Sequence, residues 1–203
     1  MNAFLARLTG AGRFALLAIL LGVSLAGCGV NNIPTQEEAA KAKWSQVLNQ
    51  YQRRADLIPN LVETVKGYAK QEAQVLEAVV NARARATSVQ LPADVLNNPE
   101  AFKKFQDAQS QLSGALGRLL VVTEAYPELK SNQNFLALQS QLEGTENRIS
   151  VARRDYIEAV QAYNTELKTF PGVIWASTLY KGNKPMETFT IAEETKRPPQ
   201  VKF

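Results

Sequence analysis

The side chains that most often carry chemistry are scarce in this chain of 203 residues, which has one cysteine and no histidine. Without histidine, the chain cannot build a Ser-His-Asp or Cys-His nucleophile pair. The lone cysteine, Cys28, cannot close a disulfide within the chain, and a zinc site is hard to assemble around it. The remaining candidates for chemistry are Cys28 itself and two carboxylates, Glu143 and Glu146.

The two glutamates stand three residues apart in a helical pattern, so their side chains share one helix face. They could bind a cation or act as an acid and base pair, or they could pair with arginines on a neighbouring helix. The arginines available for such pairs are Arg53, Arg54, Arg153 and Arg154. We favour pairing, and we expect no catalytic residue, metal ligand or bound cofactor. The doubled arginines are otherwise expected on solvated faces, with their stems covering the core.

The residues before Cys28 have the layout of a secretory signal. Arg7 and Arg13 give a positively charged start with no acidic residue near it, and residues 14–25 form an apolar core. Such a run, followed by small residues, is typical of a signal peptide. It is also shorter than the ~20 residues that a membrane-spanning helix needs. Residues 1–27 are therefore predicted to be a signal peptide.

The four residues Leu25, Ala26, Gly27 and Cys28 resemble the bacterial lipobox. In that class of signal, the thiol is acylated, the chain is cut before the cysteine, and the new amino terminus is lipidated. The resemblance implies that Cys28 is the lipid attachment site and that residues 28–36 form a lipidated tether. Two buried acyl chains, at ~0.8 kcal/mol per CH₂, suffice for stable anchoring. The alternative is an uncleaved membrane anchor in which the cysteine is incidental.

The charge balance argues against nucleic acid as a partner. The chain has 23 basic and 19 acidic residues, a net charge of +4, and two of its arginines lie in the predicted signal peptide. The excess left after removal of that peptide is too small to suggest binding to a phosphate backbone. The length and the 45% content of hydrophobic residues suit one globular domain.

Apolar residues that could position these groups recur at alternating steps of three and four, the heptad pattern of packed helices. In the first segment this pattern starts after Thr35 and Glu38, which have the spacing of a capping box, and it skips one position at Glu72. Pro59 lies inside the pattern and leaves the Ala55 carbonyl without a helical donor. We expect a kinked but continuous helix, or two helices stacked end to end, with the bend being a hinge or a fixed part of the packing.

Two further helices follow with the same pattern. Asn98 and Asn132 are good N-caps, and Pro127 ends the second helix. Short connections make neighbouring helices antiparallel. The chain is thus predicted to be all-α: an antiparallel up-and-down bundle of three long, coiled-coil-like helices over residues 37–170, kinked in the first helix and of the four-helix-bundle class.

The heptad register also predicts which side chains are buried. Leu116 and Leu142 occupy central positions of the second and third helices. Residues 171–203 lack long helical periodicity and form an irregular C-terminal tail, with a short helix possible over "VIWASTLY". Its aromatic residues, among them Trp175 and Phe189, are expected to pack on the bundle, because a large exposed apolar patch is a solubility hazard.

Long stretches of the chain resemble the LemA family of bacterial membrane proteins. They are "RRADLIPNLVETVKGYAKQE" (53–72), "LSGALGRLLVVTEAYPELKSNQNFLALQSQLEGTENRISVARRDY" (112–156) and "AVQAYNTELKTFPG" (159–172). A final Pro-x-Val-x-Phe also fits, so the resemblance spans residues 44–203. It implies an all-α antiparallel bundle, often classed as four helices, with no established catalytic residue. Many members carry an N-terminal transmembrane helix where this chain has a lipobox.

These features together predict a non-enzymatic envelope lipoprotein that acts as a scaffold or sensor through protein contacts. The family is loosely linked to envelope stress and to membrane neighbours, so the expected partners are the membrane, through Cys28, and a membrane or envelope protein. Gly29 is not the aspartate that retains many lipoproteins at the inner membrane, so the outer membrane is slightly favoured. The alternatives are a hydrolase or metal-dependent enzyme with helix-borne carboxylates, and a bundle that binds lipid or another ligand.

Overall fold

The computed structural model describes residues 29–190, so the predicted lipobox, the lipid attachment site Cys28 and the final Pro-x-Val-x-Phe lie outside the described residues. All regular secondary structure in this part is helical, which confirms the predicted all-α class for it. Its α-helices are α1 (Asn32–Tyr68), α2 (Ala73–Ser88), α3 (Pro99–Thr123), α4 (Pro127–Lys130), α5 (Gln133–Glu166) and α6 (Gly172–Thr178). Two short 3₁₀ turns, Lys70–Glu72 and Val95–Asn97, precede α2 and α3.

Helix α1 begins earlier than the sequence predicts, at Asn32, and no side chain caps it. The Thr35 amide already donates to the Asn31 carbonyl, and Glu38 accepts a hydrogen bond from a lysine further along α1. The predicted capping box is therefore wrong. The first turn is stabilised instead by packing, because Ile33 is completely buried. Part of the predicted tether is consequently helical.

The predicted first helix is in fact two helices. α1 ends at Tyr68, and Ala69 leaves the helical conformation at φ −124° and ψ 54°. After the 3₁₀ turn, α2 folds back along α1, so that Arg83 reaches Ala55. The prediction of three long helices is thus wrong, and the described residues contain four. The skipped heptad position at Glu72 falls in the 3₁₀ turn, where the carboxylate accepts a hydrogen bond from the Tyr126 hydroxyl.

Helices α1 and α5 lie side by side and run in opposite directions. At one end, Asn32 of α1 donates a hydrogen bond to Glu166 of α5. At the other end, the Tyr68 hydroxyl at the close of α1 accepts one from Asn132, the N-cap of α5. Helix α2 packs between α1 and α3. The long α1–α5 pair therefore forms the most extensive helix–helix contact among the described residues.

The helix starts and the buried register of α3 and α5 follow the sequence prediction. The Asn98 side chain accepts a hydrogen bond from the Ala101 amide at 3.1 Å, and Asn132 caps α5 through the Phe135 amide at 3.0 Å. Both contacts are standard N-caps. The buried side chains of α3 recur at the alternating steps of three and four that the heptad pattern predicts: Phe102, Phe105, Gln109, Leu112, Leu116, Leu119 and Thr123. Leu142 of α5 is also buried.

Pro59 lies inside α1 without ending it. Because proline has no N–H, the carbonyl four residues earlier, that of Ala55, has no donor within the helix. Arg83 of α2 donates its Nε–H to this oxygen at 2.8 Å. A side chain from the neighbouring helix therefore replaces the missing backbone bond and joins α2 to α1 at the same point. This contact favours a fixed bend over a hinge.

The replacement of a backbone hydrogen bond by the Arg83 side chain gives a testable prediction. Arg83→Met is expected to lower the free energy of unfolding by ~1 kcal/mol, because the Ala55 carbonyl then lacks a protein donor. In a Pro59→Ala background, the new amide supplies the bond, so the cost of Arg83→Met should fall by ~0.5–1.5 kcal/mol. Pro59→Ala alone should change stability by ~1–3 kcal/mol. Urea unfolding of the four proteins measures the coupling, and additive costs would show that the two sites act independently.

Candidate functional site

Two groups of buried side chains fill the bundle. The aromatic core lies where α1 begins and α5 ends, and its rings are Trp44, Tyr51, Phe102, Phe105, Tyr156, Tyr163 and Phe189. The aliphatic core lies toward the other end of the same helices and includes Ile58, Leu61, Val65, Leu76, Leu112, Leu119 and Leu142. A polar layer separates the two cores, and a buried charged side chain lies at its centre.

That side chain is Arg54, which is only 1% exposed. Its Nη1 donates to Glu146 Oε1 at 2.9 Å and to Ser113 Oγ at 2.8 Å. Its Nη2 donates to the side-chain and backbone oxygens of Gln109, at 2.6 and 3.3 Å. The guanidinium carbon lies 5.0 Å from the centre of the Tyr51 ring, within range of a cation–π contact. Among the described residues, the Arg54 Nε has no hydrogen-bond partner.

The layer joins three helices, because Arg54 belongs to α1, Gln109 and Ser113 to α3, and Glu146 to α5. A buried charge costs several kcal/mol unless it is paired and hydrogen-bonded. Hydrogen bonds are directional, so contact with the guanidinium constrains the rotation and axial position of each helix. The layer therefore favours one register of α1, α3 and α5 more strongly than the non-directional aliphatic contacts do.

The structure separates the two glutamates that could have formed an acid and base pair. Glu146 forms the predicted ion pair with an arginine of a neighbouring helix, Arg54. Glu143 instead accepts a hydrogen bond from Gln139 of its own helix at 3.0 Å. Between residues 29 and 190, no cluster of three or more His, Cys, Asp or Glu side chains is arranged to hold a metal ion.

The expectation that the doubled arginines lie on solvated faces is wrong for Arg54. Its neighbour Arg53 is exposed, as expected. Arg54 lies three residues after Tyr51 and four before Ile58, and both of these are buried. That spacing is the heptad step itself and was the available signal. The burial of Arg54 was not predicted, because the heptad pattern continues equally well through Ala55 and arginine side chains usually lie at the surface.

The chain after α6 closes the aromatic core without regular secondary structure. Phe189 is buried, and its ring centre lies 5.0 Å from that of Phe102 and 6.0 Å from that of Trp44. The guanidinium of Arg153 covers the outer face of the Phe189 ring at 4.4 Å from its centre. The tail thereby contributes a ring to the core of the bundle.

Side chains of the bundle also bind the backbone of this tail. Asn164 binds both backbone groups of Met186. Its Nδ2 donates to the Met186 carbonyl at 2.9 Å, and its Oδ1 accepts from the Met186 amide at 2.8 Å. The Tyr156 hydroxyl donates to the Glu187 carbonyl at 2.7 Å, and the Glu187 amide donates to the Leu96 carbonyl at 2.7 Å. These bonds satisfy the backbone of an extended segment that no neighbouring strand pairs with.

The polar layer, the contact of Arg83 with Ala55 and the tail all fall within one region that matches known proteins. The model of the LemA family matches residues 43–203, which is most of the chain. The chain belongs to the LemA family. This confirms the membership predicted from the sequence. The predicted lipobox lies before the LemA match, and no helix within residues 29–190 is both long and apolar enough to cross a bilayer.

Three curated proteins are similar to this LemA chain at low identity. It is 26% identical over 157 residues to Magnetosome protein MamQ 2 and to Magnetosome protein MamQ 1, both of Paramagnetospirillum magneticum. It is 24% identical over 157 residues to Magnetosome protein MamQ of Magnetospirillum gryphiswaldense. Each alignment covers 70% of this chain and 58% of the relative. The LemA chain therefore spans 58% of the length of the curated relatives it matches.

The structure also defines where the chain enters the bundle. Gly29 directly follows the predicted lipid attachment site and has φ +99°, a conformation that favours glycine. A Cβ at this position would lie 3.4 Å from Pro171 Cγ, just before α6. The chain therefore enters the bundle beside α6, at the end that contains the aromatic core.

The buried tyrosine that binds the tail predicts how the stability of this protein depends on pH. Burial, with a smaller effect of Glu187, raises the pKa of Tyr156 above its ordinary value of 10.0. The folded protein then keeps the phenolic proton where the unfolded chain loses it, so this stabilisation is complete below pH 10 and falls as the pH rises further. We expect a lower free energy of unfolding at about pH 11 than at pH 8, and a smaller decrease for Tyr156→Phe.

Urea unfolding at the two pH values tests this, with Tyr68→Phe as the matched control, because Tyr68 is 43% exposed. Burial also raises the pKa of Tyr51 and Tyr163, so part of the alkaline loss should persist in Tyr156→Phe. Equal decreases in the two variants would contradict the assignment to Tyr156.

Proposed function

We propose that this LemA-family protein is a non-enzymatic envelope lipoprotein that acts as a membrane-anchored scaffold or sensor through protein contacts, with a role in envelope stress. The observation that carries this proposal is the polar layer around Arg54. Within residues 29–190, the most deeply buried charge, Arg54, binds Glu146, a glutamate that could have served as an acid or base. The contacts of Arg54 join three helices. The matched relatives are named after a cellular structure and not after a reaction.

The proposed anchor is lipid, such as palmitate, attached to Cys28. It would hold the bundle in the periplasm, with the outer membrane slightly favoured because Gly29 follows the cysteine. Since α1 begins at Asn32, the non-helical link after Cys28 is only residues 29–31. Three residues reach at most ~11 Å, so the bundle would stay at the membrane surface. This confinement raises the local concentration of any membrane-bound partner.

The surface also has a groove for a protein contact between α1 and α2, toward the end of the bundle opposite the proposed anchor. An open groove of about 340 Å³ runs along the two helices near the turn that joins them. Its lining combines apolar side chains, such as Leu76 and Val80, with charged ones, such as Lys66 and Glu77. Val80 is 48% exposed there. This mixture suits a reversible protein contact better than a small-molecule site, which is usually enclosed and mostly apolar.

The anchor is tested by metabolic labelling. Labelled palmitate should enter the wild-type protein and should not enter Cys28→Ser, which should also keep its signal peptide. A processed serine variant on a cleavable secretory signal then gives a bundle without lipid. Equal labelling of the two proteins would refute the lipoprotein assignment.

The function is tested by complementation of a deletion strain with this soluble form. We expect a folded bundle with weakened function, because removal of the anchor removes the proximity to a membrane-bound partner. Circular dichroism provides the folding control, and matched abundance is verified in cell extracts. Full complementation by the soluble form at wild-type abundance would show that membrane proximity is not part of the mechanism.

A further inference from the structure

Four large apolar side chains are exposed within ten residues at one end of the bundle. They are Phe170, Val173, Ile174 and Leu179, which we call the α6 patch, and Phe170 is 80% exposed. Val173 and Ile174 lie on α6, Phe170 lies two residues before its first residue, and Leu179 directly follows its last. The other exposed large apolar side chains of residues 29–190 are scattered along the long helices: Tyr68, Val80, Val121, Leu136 and Val151.

The α6 patch lies at the end of the bundle where the chain arrives from the predicted anchor. Gly29 adjoins Pro171, and Asn32 at the start of α1 is hydrogen-bonded to Glu166 at the end of α5. Cys28 is one residue before Gly29. Even the last residue of the apolar run, Leu25, is only four residues away, a distance of at most ~14 Å. Either form of anchor would therefore bring this end of the protein to the bilayer surface.

The charges around the α6 patch are suited to an anionic surface. Lys168 and Lys181 are exposed on either side of it, and neither forms an ion pair with any residue in the described range. Of the carboxylates at this end of the bundle, Glu37 pairs with Lys41 and accepts a hydrogen bond from Asn183, and Glu166 accepts one from Asn32. Exposed lysines beside apolar side chains are the arrangement that anionic headgroups attract.

We propose that the α6 patch lies in the lipid–water interface of an anionic membrane, as a second, non-covalent contact that orients the bundle. This inference rests on the proposed function, because the anchor brings this end to the membrane. Interfacial apolar faces enter the headgroup and acyl boundary by about 5–10 Å. With two contacts instead of one, the bundle cannot rotate freely about its tether, and its opposite end, at Tyr68 and Asn132, points away from the bilayer.

The test uses the full-length protein, purified from the membrane fraction and reconstituted into vesicles of phosphatidylcholine and phosphatidylglycerol. Phe170→Trp places a fluorophore in the α6 patch, and Val121→Trp places the matched control at an exposed apolar site, 71% exposed, near the opposite end. The wild-type signal of Trp44 and Trp175 is subtracted. Lipids brominated on their acyl chains quench a tryptophan only where it contacts the hydrocarbon.

We expect brominated lipids to quench Phe170→Trp by about two-fold or more, given insertion to interfacial depth, and to leave Val121→Trp unchanged. Quenching should decrease in pure phosphatidylcholine and in the Lys168→Gln, Lys181→Gln double variant. If the protein floats with the vesicles but Phe170→Trp is not quenched, the inference is overturned and the anchor is retained. The α6 patch is then assigned to a protein partner. Equal quenching at both sites would also overturn the inference. Failure of wild-type protein to float would instead refute the anchor, and with it the inference.

Discussion

Replacing Arg54 with alanine is expected to lower the free energy of unfolding by ~3–5 kcal/mol, because it opens a cavity and leaves a buried polar group unpaired. The side chain is 1% exposed and donates to groups on two other helices. Its loss would leave the buried Gln109 side chain without its donor and would open a cavity between the two cores. The aliphatic core would keep its own contacts, so the damage should begin at the polar layer.

The adjacent arginine provides the matched control for this prediction. Arg53 is exposed, so Arg53→Ala should change the free energy of unfolding by no more than ~0.5 kcal/mol. Arg54→Met fills most of the space without the charge and should cost less than Arg54→Ala. Urea unfolding followed by circular dichroism compares the three variants. If Arg54→Ala is no more destabilising than Arg53→Ala, the polar layer does not determine the packing of these helices.

Trp44→Ala is the second substitution for which we expect a cost of ~3–5 kcal/mol. The Trp44 ring is buried and lies near four others, with ring centres 5.2 Å from Phe105, 5.3 Å from Tyr156, 5.5 Å from Phe102 and 6.0 Å from Phe189. Alanine would remove the centre of this cluster and the surface against which the tail packs. The loss should therefore release Phe189 as well as destabilise the bundle.

Thermal unfolding measures the cost of Trp44→Ala, and limited proteolysis measures whether the tail is released. Trp175→Ala is the matched control, because Trp175 is only partly buried and lies beside the aromatic core. We expect a smaller shift in the melting temperature for this control. Cleavage of the tail at the same rate in Trp44→Ala and in the wild type would contradict the proposed dependence of the tail on Trp44.

The features that the sequence could predict depend on residues close together in the chain. Asn98 and Asn132 cap their helices through amides three residues away, so both contacts are contained in a few consecutive residues. Burial of Leu116 and Leu142 follows from helical periodicity, because an apolar face must meet another such face whichever helix supplies it. The LemA membership likewise rests on stretches of consecutive residues. The all-α class and the buried register of α3 and α5 were therefore determined by the sequence alone.

Other features depended on which helices meet. The turn after Tyr68 left only a skipped heptad position as a local signal, and it became visible as a reversal only because α2 packs back on α1. Arg83 can satisfy the carbonyl exposed by Pro59 only once that packing exists. Arg54 could lie in water or inside the protein, and its burial depends on partners 55 and 92 residues away in the chain. Hydrogen bonds over such separations have no local pattern, so only the tertiary structure decided where this charge lies.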